Sequence, residues 1–319
     1  MPVLAGSPVV TLRHASARPY DAAIAAARTC YAPRVIGAEE VTPSQRETIG
    51  PLTFEGGHHT VWQHAHFEFG LENVSRQLVW SFLHSHPFYN SEQSSQRFVR
   101  LDEARALVPE GLSGEARAVY EGAVEAAWES YRRLTLLLKQ DTLRILSELR
   151  HLTPNASDKR RNKVEREAEK KAIETARYVI PVAAFTSMVH TVSGIVLHRL
   201  HRMMRTGDAP TETRAVVEAM VGLVKGIDPA FFDRIGQGPL AEGEVVEARL
   251  PRLAADGDAE AARLDARLGQ RVSLLVDHMA RAEETTAEAV RAVLGASPGA
   301  LDDDAAIEQL LDPGINRYR

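Results

Sequence analysis

The chain has 319 residues, of which 44% are hydrophobic and 25% charged, enough apolar material for one large domain or two modest ones. Its formal net charge of -5 lacks the basic excess of nucleic-acid-binding proteins, so we expect no nucleic-acid partner. The sequence has no basic, apolar leader and no uninterrupted run of ~20 apolar residues, which predicts a cytoplasmic protein that does not enter membranes.

The N-terminal region predicts a strand followed by a helix. Residues 9–12 form a short apolar run, and the alanine-rich residues 21–29 begin with Asp21 as a favourable N-cap. Cys30 is the sole cysteine, which excludes an internal disulfide and a cysteine-based metal cage. Two interpretations of Cys30 stay open, a nucleophile and a small buried hydrophobic residue, and we favour the second.

Residues 57–98 form the segment richest in histidine and polar side chains. After a polar turn at 57–64, residues 64–71 place Ala65, Phe67 and Phe69 on one face, the period-two pattern of a strand. Residues 74–84 carry apolar side chains at helical spacing before Pro87 ends the helix. The polar residues 89–97 predict a loop that suits hydrogen bonding to a polyoxygenated ligand.

The remaining chain predicts helices. Residues 115–152 form one long amphipathic helix or two joined end to end. The charged run 158–171 suits a phosphate or nucleic-acid contact or, as we favour, a solvated helix with paired charges. Apolar residues in 186–205 recur at helical spacing and predict a helix that faces the core or an oligomer contact. Residues 213–224 continue as helix, and one more is expected over residues 260–294.

Two blocks resemble the flavin-dependent thymidylate synthase family. The first has the family's G-H-x-[ST] turn and its two strand phenylalanines, with Gln63 in place of a glutamate; its matching residues are Gly57, His58, Thr60, His64, Phe67 and Phe69. The second, Ser95-Gln96-Arg97-Phe98, matches the family's S-x-R-[YF]. Between them the family has R-H-R, whereas this chain has His84-Ser85-His86-Pro87.

Weaker matches extend the resemblance over residues 9–232. Ala176-Arg177 and Ile180-Pro181 resemble A-R-x-x-L-P, whose arginine meets the nucleotide phosphate in the family. Residues 191–195 lack the Asn and Arg of the family's T-x-N-x-R, and a later family arginine falls at Met204 or, with a shift of one, at Arg205. The charged run within 154–172 resembles an insertion.

The resemblance implies an α+β fold with a small, mostly antiparallel sheet flanked by long helices. It assigns residues 1–235 to a flavin- and nucleotide-binding domain, with residues 236–319 as a helical C-terminal extension. The implied reaction is reductive methylation of dUMP, or of another small pyrimidine nucleotide; for dUMP the product is dTMP. Methylene-tetrahydrofolate donates the carbon, reduced FAD the hydride, and NADPH reduces the flavin. Family members are homotetramers whose sites combine several subunits.

The resemblance also implies the site residues. Arg97 and Arg177 are expected at the catalytic centre, where an arginine can fork two donors onto a phosphate. The implied cofactor-binding residues are His58, Thr60, His84, His86, Glu92 and Ser95. The implied substrate-binding residues are Gln93, Ser95, Arg97, Arg177 and Arg205. The candidates to replace the missing family arginines are His84, His86, Arg199 and Arg202.

Two alternatives remain at this stage. The pairs His64/His66 and His84/His86 have the H-x-H spacing that places two imidazoles on one strand face, as a metal hydrolase requires. No cysteine or regular pattern of carboxylates accompanies them, so the prediction includes no metal. The altered R-H-R and N-x-R motifs also fit a paralogue of the same fold that binds a nucleotide or flavin without synthesising thymidylate.

Overall fold

The computed structural model describes residues 6–85, 89–206, 209–236, 238–245 and 257–316. The chain divides into two compact units, Met1–Leu250 and Pro251–Arg319. The strands of the first unit are β1 Val9–Ala15, β2 His66–Ser75, β3 Tyr89–Gln93 and β4 Phe185–Ser193. Its longer helices are α1 Pro19–Thr29, α2 Pro43–Glu55, α3 Arg76–Ser85, α4 Gly114–Leu149, α5 Asp158–Ala176, α6 Gly194–Met203 and α7 Thr211–Ile227, followed by the single turn α8 Ala230–Asp233. Short 3-10 turns cover Ala38–Glu40, His59–His64, Arg177–Val179 and Glu242–Glu244.

The four strands form one antiparallel sheet in the order β1-β2-β4-β3. Along β2, Phe67, Phe69 and Leu71 are fully buried while the residues between them are not, so one face of the strand packs on the core. The ladder is irregular between Leu71 and Val74, and there Asn73 takes a left-handed φ of 54°, as a bulged residue can. The expected α+β fold with a small antiparallel sheet is confirmed.

The apolar faces of α6 and α7 supply much of the core beside the sheet. Val216, Val217 and Met220 of α7 are fully buried, which agrees with its helical spacing of apolar side chains. Trp62, in the 3-10 turn before β2, is also fully buried and contacts the rings of Tyr20, Phe54 and Phe231. The turn at 57–64 is therefore anchored to the core by its own tryptophan.

Helices α4 and α5 pack against each other as a long hairpin. The 36 residues of α4 span about 54 Å, and the predicted long helix is confirmed. Although α5 has the dense charge of a solvated helix, Val164, Ala168 and Ala172 are buried on one side of it. Its other face carries Lys and Arg side chains, including Lys159, Lys163, Arg166 and Lys170.

Several expectations about local structure were wrong. Residues 185–193 are strand β4 and only residues 194–203 are helical, because Thr186, Met188, His190 and Val192 alternate with more exposed neighbours. Part of the expected loop at 89–97 is strand β3, which pairs with β4 through the backbone. Cys30 directly follows the last residue of α1. It is exposed and therefore is not a buried hydrophobic residue.

The second unit is described by itself and contains α9 Gly257–Leu268, α10 Ala282–Leu294 and α11 Asp303–Leu311. The single helix expected over 260–294 is broken, because Gly269 adopts φ 58°, the left-handed conformation that ends helices. Helices α10 and α11 pack together, and Ala287 and Ala306 are fully buried. Arg291 of α10 donates to the Leu301 carbonyl and pairs with Asp303 at 2.7 Å.

Candidate functional site

Arg76 is the first residue of α3 and follows the buried end of β2. Its backbone N–H donates to the Ala184 carbonyl at 3.1 Å. Its guanidinium donates to Gln93 Oε1 at 3.2 Å and to the Ser94 carbonyl at 2.9 Å. Its buried Nε has no hydrogen-bond partner among the described residues. The side chain is thus fixed at the end of β3 with donor capacity left over.

Arg97 and Arg177 meet at the end of α5 through one residue, Glu174. Arg97 Nε lies 2.6 Å from Glu174 Oε1, and Arg177 Nε donates to the Glu174 carbonyl at 3.0 Å. Arg177 is also close enough to Arg76 for its charge to act on that residue. The pKa of Arg76 is lowered first by burial and then by the positive charge of Arg177. Together these three residues, the arginine group, form a cationic site.

A buried carboxylate holds the element that carries Arg76. Glu212 of α7 accepts a hydrogen bond from Ser75 N at 2.7 Å and contacts Ser75 Oγ. Ser75 Oγ in turn accepts from Leu78 N at 3.1 Å, which caps the first turn of α3. Burial raises the pKa of Glu212, and the two hydrogen bonds from Ser75 oppose that shift. Glu212 therefore fixes the position at which α3, and with it Arg76, begins.

The structure brings some of the predicted site residues to the arginine group. Gln93 contacts Arg76 directly, and Ser95 Oγ accepts a hydrogen bond from Arg97 N at 3.2 Å. Glu92 is exposed on β3 opposite Val189. Arg205 is exposed and pairs instead with Glu218 of α7 at 3.6 Å. The side chain of His84, and the whole of His86, lie outside the described residues.

His58 and Thr60 lie at the other end of the sheet. They belong to the turn before β2, whose first residue His66 pairs with Ser193 at the end of β4. Arg76 bonds to Ala184, just before β4 begins. The nine residues of β4 separate these two positions by roughly 25 Å. Within one chain the predicted residues therefore form two groups rather than one continuous pocket.

Close to His58, the chain forms a cavity of about 360 Å³ between α2, α6 and the turn after α8. Three arginines line it, Arg199, Arg202 and Arg234, against one carboxylate, Glu55. Arg234 pairs with Glu47, and Arg202 makes only a long contact of 3.5 Å to the Gly238 carbonyl. We call this space the α6 cavity; its excess of cations favours an anion.

His198 forms part of the cavity's inner wall. It is 4% exposed and packs against the rings of Phe54 at 5.3 Å and Phe231 at 5.1 Å. Burial lowers its pKa to about 3, with the charge of His201 as the next cause, so its ring is neutral near pH 7. Its Nε2 is buried and has no hydrogen-bond partner among the described residues.

Sequence reasoning missed Arg76, Arg234 and His198. Arg76 stands directly after a buried strand, so its charge is held near the core. His198 sits among apolar residues of α6, where a polar side chain has to find a partner or a ligand. Arg199 and Arg202, which the sequence offered as substitutes for missing arginines, do line a shared cavity.

Two findings concern only the described part of the chain. No group of three or more His, Cys, Asp or Glu side chains is placed there to hold a metal ion; the side chains of His84 and His86 lie outside that part. His64 and His66 are both exposed. None of the described helices is both long and apolar enough to cross a lipid bilayer.

Comparison with known proteins identifies the family. The family described as thymidylate synthase complementing protein matches residues 11–230. The chain belongs to the flavin-dependent thymidylate synthase family. A relative from Clostridium tetani carrying that name is 28% identical over 233 residues, covering 71% of this chain and 86% of the relative. Another family member, from Geobacter sulfurreducens, is 30% identical over 227 residues, covering 69% and 84% of the two chains.

Solved structures agree with this family assignment at the level of the fold. The UMP/dUMP methylase PolB from Streptomyces cacaoi, crystallised with 5-Br dUMP, superposes with a TM-score of 0.53 at 20% identity. The similarity covers 74% of this chain and all of PolB. The family match ends at residue 230, so it does not reach the helices of the second unit.

Proposed function

We propose that the protein catalyses the reductive methylation of dUMP to dTMP. The observation that carries the proposal is the arginine group, in which the buried Nε of Arg76 has no hydrogen-bond partner among the described residues and the positive charge of Arg177 acts on Arg76. A nucleotide phosphate is the anion that the substrate of a thymidylate synthase would bring to this group. Bound there, it would accept charge-assisted hydrogen bonds from both guanidinium groups.

Each residue of the group has a distinct task in this proposal. Arg177 and Arg76 bind the phosphate, while Arg97 exchanges its contact with Glu174 for one with the nucleotide. Gln93 and Ser95 orient the nucleotide through the arginines. Gln93 holds the side chain of Arg76, and Ser95 holds the backbone of Arg97. Glu212 acts through Ser75 and α3 and is a positioning residue. The polar contacts would hold the nucleotide in one orientation for the reaction.

The residues present fit a flavin. The α6 cavity offers arginines for phosphate groups, an unpartnered buried Nε2 on His198 and apolar walls. When bound, reduced FAD supplies the hydride, with methylene-tetrahydrofolate as carbon donor and NADPH as reductant. His58 and Thr60 stand on the turn beside the cavity, and we propose that they contact the cofactor there. We propose that Glu92, on β3 near the arginine group, contacts the cofactor of a neighbouring subunit.

The distance between the two groups supports an assembly in which neighbouring subunits share sites. A separation of roughly 25 Å along β4 keeps a nucleotide at the arginine group away from a flavin at the α6 cavity of the same chain. In a second subunit related by a two-fold axis, β4 would run in the opposite direction. The α6 cavity of that subunit would then lie near the arginine group of the first. We propose, as the family resemblance implies, a cytoplasmic homotetramer with sites shared between subunits, in which residues 1–235 bind the ligands.

The test follows release of the uracil C5 hydrogen. Purified protein receives FAD, NADPH, methylene-tetrahydrofolate and dUMP labelled with tritium at C5, with labelled UMP in a parallel reaction. We expect release from dUMP, and the UMP reaction shows whether the ribonucleotide is also accepted. Arg177→Ala should reduce release at least tenfold, because a phosphate contact is lost, while Arg144→Ala on the exposed face of α4 should not. Binding of dUMP without release would support the non-catalytic paralogue instead.

A further inference from the structure

One face of α5 carries a row of positive charges at the protein surface. The four exposed side chains that form it are Lys159, Lys163, Arg166 and Lys170. They follow one another at intervals of four, three and four residues, which aligns side chains along one face of a helix. At 1.5 Å of rise per residue the row extends over about 16 Å. We call it the cationic stripe.

Three carboxylates interleave with this row in the sequence but do not neutralise it. Glu165 and Glu169 pair with Lys139 of α4, at 3.2 and 3.4 Å. Glu167 pairs with Arg150, the residue after α4, at 2.7 Å. All three side chains are therefore engaged by cations on the α4 side of the hairpin, and the positive charges on the opposite side keep their full effect.

The cations of the stripe lack carboxylate partners. Within the described residues none of the four has an ion pair, and Arg166 donates only to the Asn162 carbonyl at 3.3 Å. Like charges three or four residues apart on a helix repel one another. The stripe therefore maintains a repulsion that a polyanion lying along it would relieve.

The net charge of the chain does not oppose an anionic partner at α5. Residues 251–319 contain 13 Asp or Glu and 8 Lys or Arg, which accounts for the whole net charge of -5. The first 250 residues are therefore formally neutral. The total charge, which argued against a nucleic-acid partner, does not describe the surface of α5.

The chemistry of α5 selects among anionic partners. Its apolar residues, among them Val164, Ala168 and Ala172, are buried, so the helix has no apolar face to insert into a lipid surface or to bury in a protein interface. It contains no aromatic residue, whereas proteins that bind single strands stack bases on aromatic side chains. A duplex keeps its bases stacked inside and presents phosphates, which cations alone can bind.

We propose that the cationic stripe binds the phosphate backbone of double-stranded DNA, independently of base sequence. Each strand of B-DNA carries one phosphate per roughly 3.4 Å of axis, so about 16 Å spans about five phosphates, enough for the four cations. Released counterions supply the affinity, and the dissociation constant should be about 10⁻⁴ to 10⁻⁶ M at physiological salt. The inference does not depend on the proposed function.

The first experiment titrates a labelled duplex of about 20 base pairs with the full-length protein and follows fluorescence anisotropy. With four cations the slope of log affinity against log salt should be about -3.6, so binding weakens about 100-fold between roughly 50 and 200 mM salt. Lys163→Gln and Arg166→Gln should each reduce that slope by about 0.9. Lys171→Gln is the matched control, since Lys171 lies on α5 beside Glu174, and it should leave the slope unchanged. An unchanged slope in both stripe variants, or no binding at about 50 mM salt, would overturn the proposal.

The second experiment separates DNA from other polyanions. Duplexes of two unrelated sequences should bind equally well, and a single strand of the same length should bind more weakly with a slope of about -2.8. Tighter binding to the single strand, or to vesicles that contain phosphatidylserine, would show that the assignment to a duplex is wrong. Salt-sensitive self-association in light scattering that is lost in Arg166→Gln would also overturn it, because the stripe would then bind a second copy of the chain.

The third experiment separates this inference from the proposed methylation. Changing all four stripe residues to Gln keeps good helix formers on α5, and an unchanged thermal midpoint checks that the fold is retained. This variant should bind the duplex about 100-fold more weakly at low salt yet release the C5 hydrogen of dUMP at the wild-type rate. A parallel loss of both activities would show that the stripe serves the methylation site and that the proposal is wrong. DNA binding that follows the stripe in a protein without hydrogen release would support the proposal and contradict only the methylation.

Discussion

The guanidinium of Arg177 lies near enough to that of Arg76 for its positive charge to lower the pKa of Arg76, the second cause of that shift after burial. Two like charges held together disfavour the folded state unless an anion separates them. Arg76 is fixed by Gln93 and Ser94, and Arg177 by the Glu174 carbonyl. The fold therefore maintains a repulsion that a bound phosphate would relieve.

This relationship predicts opposite effects on stability and binding. Arg177→Gln should leave the free energy of unfolding of the ligand-free protein unchanged or slightly raised, because the repulsion disappears. The same variant should bind dUMP about 10- to 100-fold more weakly, the equivalent of a lost charge-assisted hydrogen bond worth roughly 1.5–3 kcal/mol. Urea unfolding and calorimetric titration measure the two quantities. A variant that loses stability and retains dUMP affinity would show that Arg177 is a structural residue.

Glu212 predicts a pH dependence of stability. Because its pKa in the folded protein is raised above the ordinary value of 4.5, its contribution is fully present below that value and is lost as the pH rises through the folded pKa. Glu212→Gln retains an acceptor for Ser75 N but cannot ionise. It should therefore gain stability relative to wild type as the pH rises from 4 to 7.

The matched variant at this position is Glu212→Ala. It leaves the buried Ser75 N–H and Oγ without their partner and should cost about 1–3 kcal/mol at every pH. Urea unfolding of the three proteins across the pH range measures both effects. A difference between wild type and Glu212→Gln that stays constant with pH would contradict the raised pKa.

The segment at 185–203 shows where the sequence was ambiguous. Val189, Val192, Ile195 and Val196 satisfy helical spacing, so the segment was predicted as one helix. In the structure, backbone pairing of β4 with both β2 and β3 decides the first half, and this long-range pairing leaves no mark in a short window of sequence. The long α4 was predictable because its pattern extends over many residues, whereas the antiparallel sheet was expected from the family resemblance and only β1 and β2 were expected from their own residues.

The candidate site was predictable only in part. Arg97 and Arg177 stand in recognisable motifs, and the structure brings both to Glu174. Arg76 joins them from a distant part of the chain, through a helix whose start depends on Glu212 of α7. His198 could be assigned only once its burial and its unpartnered Nε2 were known. The placement of both residues depends on tertiary contacts rather than on local sequence.

Gly194 predicts a large effect of one added methyl group. It begins α6 directly after β4, and a Cβ there would overlap the Phe231 ring and lie 3.0 Å from the Trp62 carbonyl oxygen. Since both neighbours belong to the packed core, Gly194→Ala should cost about 1–3 kcal/mol. Gly222→Ala is the control, because nothing lies within 4 Å of its Cβ position on α7. It should add about 0.5–1 kcal/mol through helix propensity. Thermal unfolding that ranks the two variants in the opposite order would contradict this packing.

Buried histidines predict that the protein loses stability in mild acid. Burial lowers the pKa of His190 to about 4 and that of His198 to about 3, whereas in the unfolded chain both titrate near 6.5. The unfolded state therefore binds protons that the folded state does not, so stability is present above pH 6.5 and is lost as the pH falls toward the folded values. Each histidine should lower the free energy of unfolding by about 1.4 kcal/mol for each pH unit between roughly pH 6 and 4.5.

The variant His190→Asn tests this dependence. It keeps a polar group for Ser91, whose Oγ lies 2.6 Å from His190 Nδ1, and it cannot bind the proton. As the pH falls, the free energy of unfolding of this variant should decrease less steeply than that of wild type, because the variant takes up one proton fewer on unfolding. Urea unfolding at intervals of half a pH unit measures the two slopes. Parallel curves for the two proteins would show that His190 titrates normally in the folded state.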